Sequence, residues 1–158
     1  MNTAATTRPL HRTDPVRPFT AGAYGLVLLG VGHLTLSAVA ASAARTPRQS
    51  ETDTAMREST FTLLGLERAV LDLFHGMSVA MALFSVTCGL LILAALRHAP
   101  ALVRQRTAFG WIALTASVAV LAISVLLLPP PPIVVLTLTS CAFALSLHRA
   151  TPTAHPAS

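Results

Sequence analysis

Charged residues are scarce in this chain, and its bases are all of one kind. Asp, Glu, Lys and Arg make up 11% of the 158 residues, whereas a soluble domain carries about 25%. All eleven basic residues are arginine, and lysine is absent. With 53% hydrophobic residues and a mean hydropathy of +0.66, the composition excludes an ordinary soluble domain and indicates a single membrane domain.

The sequence also lacks the motifs of familiar enzymes. It contains no P-loop, no G-x-S-x-G and no H-E-x-x-H. The two cysteines, Cys88 and Cys141, are isolated in apolar segments with no histidine at ligand spacing, which argues against a disulfide framework and against a metal site. The arginines form no stripe interleaved with aromatics, so we expect no nucleic-acid partner. A non-enzymatic protein is therefore favoured.

Four apolar runs are candidates to cross a bilayer, whose hydrocarbon core is about 30 Å thick. They predict an all-α fold, an integral membrane four-helix bundle, with the lipid bilayer as its surroundings. We expect disordered tails at residues 1–20, which are basic and rich in proline, and at residues 149–158. The predicted spans are residues 21–44, 69–96, 108–128 and 132–148.

Two segments beside these spans need a specific prediction. Pro129 to Pro132 fix φ and lack amide donors, so they predict a rigid non-helical turn. Residues 133–147 would then reach only about 22 Å as a helix and would not fully cross without recruiting neighbours. Before the second span, the mixed apolar segment from Phe61 to Leu66 predicts an interfacial helix.

The distribution of arginine predicts the orientation. Seven arginines lie in the two tails and in the loop between the second and third spans, whereas four lie in the loop between the first and second spans. Cytoplasmic loops are enriched in Lys and Arg. We therefore expect a multi-pass protein of the bacterial inner membrane with both termini in the cytoplasm.

A cleavable signal peptide is an alternative for the first span. Residues 26–39 are apolar, and the small residues 40–44 that follow them fit a cleavage site. The long preceding tail, and His33 with Gly30 and Gly32 inside the apolar run, favour a retained helix.

One cluster of polar residues is a candidate site. Polar groups inside a membrane are costly and usually face the protein interior. On a helical wheel, Arg68, Asp72, His75 and Gly76 fall on one side of the second span, with Arg68 and Asp72 at the i, i+4 spacing of an ion pair. We predict a pocket of His33, Asp72 and His75, in which the carboxylate could fix the tautomer of a histidine for ligand recognition or acid–base work.

The alternative is structural: Asp72 pairs with Arg68, and each histidine hydrogen-bonds a neighbouring helix. A haem between His33 and His75 is disfavoured, because the two residues differ in depth by roughly 11 Å at 1.5 Å per residue. We expect no cofactor.

Small residues predict where helices pack. In the first span they recur at i, i+3 and i+4 spacing around His33, a pattern that lets a neighbouring helix approach closely. The predicted packing positions are Gly30, Ser37, Ala40 and Ala44, with Gly76 in the second span.

Short motifs in the first two spans carry a resemblance. The residues GVGHL (Gly30 to Leu34) and DLFHGMS (Asp72 to Ser78) resemble small bacterial four-span membrane families, loosely of the DoxX-like type. The likeness covers about the first 95 residues. It implies a four-helix membrane bundle and supplies no catalytic residue.

Two functions therefore stay open. The first is an accessory or structural membrane protein that associates with itself or with a larger membrane complex. The second is a membrane-embedded ligand-binding protein or enzyme that acts on a lipid or quinone-like molecule through Asp72, His75 and His33.

Overall fold

The computed structural model describes residues 14–152 and contains, over that range, six helices and one two-stranded sheet. The elements in chain order are α1 (Val16–Ser42), α2 (Pro47–Glu58), β1 (Thr60–Leu63), β2 (Leu66–Ala69), α3 (Val70–His98), α4 (Ala101–Arg104), α5 (Ala108–Leu127) and α6 (Pro130–Arg149).

Four of the helices, α1, α3, α5 and α6, are long and apolar enough to cross a membrane. They coincide with the four predicted runs and confirm the all-α class. The described residues divide into two compact units, residues 14–25 with 92–152, and residues 26–91. Each is described separately below as the first and the second unit.

The start of α1 corrects the predicted tail. The helix begins at Val16, so the assignment of residues 16–20 to a disordered tail is wrong; residues 1–13 lie outside the described range. Pro18 is tolerated because the first turn of a helix leaves its amide groups without intrahelical partners. The Oδ1 atom of Asp14 accepts a hydrogen bond of 3.1 Å from the Val16 amide, which satisfies one of those groups. At its other end the helix ends at Ser42.

In the first unit, α5 and α6 pack through residues that repeat every seven positions. The buried residues of α5 are Gly110, Ser117 and Ser124, whereas α6 buries the large side chains of Leu136 and Phe143 at the same interval. A seven-residue repeat keeps one face of a helix against its neighbour, as in coiled coils. Small residues on one helix and large residues on the other let the two approach closely.

Aromatic rings join the start of α1 to this helix pair. Phe19 is fully buried, with ring centroids 4.7 Å from Phe143 and 5.7 Å from Phe109. Gly22 leaves room for the Phe143 ring, since a Cβ atom there would lie 2.6 Å from Cε1 of that ring. Each aromatic pair contributes about 0.5–1.5 kcal/mol beyond the area that it buries. The core of the first unit is therefore aromatic at this end.

The four prolines correct the prediction for the fourth span. Pro129 is the N-cap of α6, and Pro130 to Pro132 form its first turn. Proline is favoured at the first helical position because its φ suits a helix and its missing amide would lack a partner there anyway. The non-helical turn at these positions is therefore wrong. The 20 residues of α6 reach about 30 Å, the thickness of a bilayer core.

The end of α6 continues into ordered chain. The Thr151 amide donates to the Arg104 carbonyl over 3.0 Å, and the Arg106 amide donates to the Thr151 carbonyl over 2.9 Å. A disordered tail that starts at residue 149 is therefore wrong; residues 153–158 lie outside the described range.

In the second unit, the segment before α3 is a hairpin. The strands β1 and β2 pair antiparallel, with Phe61 opposite Arg68. Leu64 and Gly65 connect them with φ values of 53° and 81°, the positive pair that a two-residue type I′ turn requires. The predicted interfacial helix is wrong, because Thr60 to Leu63 alternate polar and apolar residues with the period of a strand.

Candidate functional site

The helices α1 and α3 make a close contact at Gly30 in the second unit. A Cβ atom at this position would lie 2.7 Å from Cγ2 of Val86 and 3.0 Å from its amide nitrogen, and it would overlap the carbonyl oxygen of Ala82. Only glycine permits this approach of one backbone to another. The structure therefore has a helix contact at Gly30, one of the predicted packing positions.

His33 lies one turn further along α1 and bonds to α3. Its Nε2 atom is 2.6 Å from the Ser78 hydroxyl. In one tautomer the hydroxyl donates to a bare Nε2, and in the other the Nε2–H group donates to the hydroxyl oxygen. His33 is exposed and Ser78 is half-buried. This bond joins two helices through side chains that a membrane interior would otherwise leave without partners.

Asp72 and His75 lie in the first two turns of α3, and both are exposed. A carboxylate in the first turn interacts favourably with the positive end of the helix dipole. Ser78 follows His75 by the same three-residue interval that separates His75 from Asp72, so the three residues form a polar strip along α3. The partner of His33 is the last residue of this strip.

His33 contacts the polar strip at Ser78. The three predicted pocket residues, His33, Asp72 and His75, are not hydrogen-bonded to one another. Over residues 14–152, no group of three or more His, Cys, Asp and Glu side chains is arranged to hold a metal ion. Neither Asp72 nor His75 makes a side-chain hydrogen bond or ion pair within that range.

The predicted ion pair between Arg68 and Asp72 is wrong. Arg68 belongs to β2, and α3 begins only at Val70, so the two residues do not share a helical turn. An Nη atom of Arg68 donates to the Glu67 carbonyl instead, over 3.4 Å. The ion pair of the described residues joins Arg45 to Asp53, beside and within α2.

The strip of small residues packs over less of α1 than predicted. Ser37 and Ala40 are exposed, and Ala44 lies beyond the end of the helix at Ser42. Among residues 14–152, no atom lies within 4 Å of a Cβ built on Gly76, so this part of the chain does not pack against it. The reason is that the approach of the two helices is confined to the neighbourhood of Gly30.

Several polar contacts of the first unit were missed from the sequence. The Ser140 hydroxyl donates to the Ser117 hydroxyl over 3.1 Å, and the Ser146 hydroxyl donates to the Pro15 carbonyl over 2.7 Å. Both donors are buried. The seven-residue spacing of Gly110, Ser117 and Ser124 is the signal that could have identified the α5 face.

Comparison with protein-family models, with characterised proteins and with solved structures found no match to this chain. The resemblance to DoxX-like families therefore stays a prediction.

Proposed function

We propose that this protein is an accessory or structural component of the bacterial inner membrane, which associates with itself or with a larger membrane complex. The observation that carries the proposal is the hydrogen bond between His33 and Ser78. It joins α1 to α3 through His33, the one histidine of α1, in the same way that Ser140 bonds Ser117 in the first unit.

The exposed surface of α1 supports association with other proteins. Thr35, Ser37 and Ala40 are all exposed. Small and hydroxyl-bearing residues are typical of surfaces where membrane helices meet, because they allow close backbone approach and hydrogen bonds between helices. Such residues offer lipid tails little surface to pack against. A second copy of this chain, or a helix of another membrane protein, fits this surface better than lipid does.

Crosslinking tests the association. In a variant with Cys88 and Cys141 replaced by serine, Ser37→Cys should give a disulfide-linked product larger than one chain after oxidation in membranes. Leu28→Cys is the matched control, since Leu28 is exposed on the same helix and is large and apolar. Equal crosslinking at Ser37 and Leu28, or none at either, would contradict association through the small residues.

The proposed orientation places both termini in the cytoplasm. The first unit supports it, because the arginines lie beside the ends of α3 and α6 whereas the short connection between α5 and α6 carries none. Reporters of periplasmic exposure fused near Asp53 and near Pro130 should be active. A reporter fused near Gln105 should be inactive, and the reverse pattern would overturn the orientation.

A second function, binding of a lipid or quinone-like ligand, is favoured by one observation. Asp72 and His75 are exposed on the polar strip and lack side-chain partners among residues 14–152. Polar groups at the edge of a membrane with free hydrogen-bonding capacity can receive a ligand. In this proposal His33 would orient Ser78 rather than contact the ligand.

Three variants distinguish the functions. For an accessory protein, Asp72→Asn and His75→Ala should leave membrane abundance and complex size unchanged, whereas Ser78→Ala should lower the folded fraction because His33 loses its partner. Loss of the cellular phenotype in Asp72→Asn or His75→Ala, at unchanged abundance and complex size, would favour ligand binding and count against the accessory role.

A further inference from the structure

One end of the first unit collects arginine side chains from four parts of the chain. The helix α3 ends there at His98, α5 begins there at Ala108 and α6 ends there at Arg149. The bond from Ser146 to the Pro15 carbonyl brings the start of α1 to the same end. The arginines at this end, which we call the arginine rim, are Arg17, Arg97, Arg104, Arg106 and Arg149.

Backbone pairing fixes part of this rim in place. Gln105 and Thr151 form a parallel bridge, which holds the loop after α4 against the residues that follow α6. The Thr151 hydroxyl also donates to the Arg104 carbonyl over 3.0 Å. Two arginines from the loop therefore lie beside Arg149, although more than forty residues separate them in sequence.

The guanidinium groups of the rim have few partners of opposite charge. Asp14 is the one acidic residue among residues 14–25 and 92–152, and no acid occurs after Asp72 anywhere in the chain. None of the rim arginines forms an ion pair within the described ranges. Arg106 donates from Nε to the Leu147 carbonyl over 3.3 Å, which caps the end of α6 and leaves its terminal amino groups available.

Like charges held together without acids repel one another and attract anions. The rim lies at the ends of four apolar helices, which is where phospholipid headgroups meet membrane proteins. Guanidinium groups match the geometry of phosphate oxygens and can bind them through two parallel hydrogen bonds. Basic clusters next to membrane helices attract anionic lipids.

We propose that the arginine rim binds the phosphate groups of anionic phospholipids and retains such lipids at this end of the protein. The occupant is a lipid rather than a soluble phosphate compound, because the tails of a lipid can lie along the exposed apolar side chains of α5, such as Trp111 and Ile112. Lipid binding at the rim does not depend on the accessory role, because it concerns the lipids around the helices and not a partner protein.

Lipid retention by the full chain tests this proposal. The protein is extracted from vesicles of equal parts phosphatidylglycerol and phosphatidylcholine, and the lipids that remain bound are counted by native mass spectrometry. Phosphatidylglycerol should be retained in excess, and the excess should fall as ionic strength rises. Arg104→Gln combined with Arg149→Gln should lower the retention of phosphatidylglycerol about 30-fold, because each arginine near a lipid surface contributes about 1 kcal/mol.

The matched control is Arg48→Gln combined with Arg57→Gln, which removes the same charge from two exposed residues of α2. It should leave retention unchanged, and far-UV circular dichroism should show equal helicity in both double variants. Equal retention of the two lipids by the native chain, or equal losses in the two double variants, would overturn the proposal. Displacement of the lipid by millimolar inorganic phosphate would show that the rim selects soluble anions and would also overturn it.

Discussion

Replacing Gly30 by alanine tests the contact between α1 and α3. The added Cβ atom would meet the Val86 side chain at 2.7 Å and the Val86 amide at 3.0 Å, and it would overlap the Ala82 carbonyl. Two of these three obstacles are backbone atoms, which no change of rotamer can move. The helices must therefore separate, and overpacking of this kind costs about 1–3 kcal/mol.

Alanine also favours a helix over glycine by about 0.5–1 kcal/mol. The net loss for Gly30→Ala is then about 1–2 kcal/mol. Gly32→Ala is the matched control in the same helix, because no atom lies within 4 Å of its added Cβ. It should gain up to about 1 kcal/mol. The two variants should thus differ by roughly 2 kcal/mol, or about 30-fold in the unfolding equilibrium.

The assay is far-UV circular dichroism of the full chain in mixed micelles, titrated with a denaturing detergent. A second readout is the His33 ring, whose NMR signals should shift in Gly30→Ala as its bond to Ser78 weakens, and should stay in place in Gly32→Ala. If Gly30→Ala is as stable as Gly32→Ala, α1 and α3 do not approach each other as the structure describes.

Two further predictions concern single groups. The Thr139 hydroxyl is buried and has no hydrogen-bond partner among the described residues, so Thr139→Val should leave stability equal or raise it by about 1 kcal/mol. In contrast, Ser140→Ala removes the bond to Ser117 and should lower stability by about 0.6 kcal/mol in the same titration. In the hairpin, Leu64 has a φ of 53°, which costs a side chain other than glycine about 1–2 kcal/mol. Leu64→Asn, which precedes Gly65 as a type I′ turn prefers, should slow hydrogen exchange of the hairpin amides; faster exchange would refute a strained turn.

The positions of the four long helices could be predicted from the sequence because a bilayer selects for length and hydropathy alone. Their ends could not, because helix ends depend on local hydrogen bonds and on proline. Asp14 supplies an acceptor that lets α1 begin at Val16, before the apolar run. Pro130 starts α6 instead of preventing it. Proline disrupts the interior of a helix, whereas it is favoured in the first turn.

The candidate site could be predicted only in part, for a different reason. A helical wheel places Asp72 and His75 on one side of α3, but it contains no information on the depth at which α1 meets α3. That depth is set where backbones come into contact, at Gly30. The register brings His33 to Ser78, one turn beyond His75. The i, i+4 spacing of Arg68 and Asp72 suits a helix. The alternating residues of β1 and the turn at Gly65 place Arg68 in a strand instead.

The two units use small residues in opposite ways, and this difference bears on function. In α5 they recur every seven residues on the buried face, and 33% of the apolar window of α6 is buried. In α1 the corresponding share is 6%, and the small residues beyond His33 are exposed. Because little of α1 is buried against the rest of the described chain, its surface is available to a helix of another chain. The proposed association through α1 would account both for the exposure of Ser37 and Ala40 and for their small size.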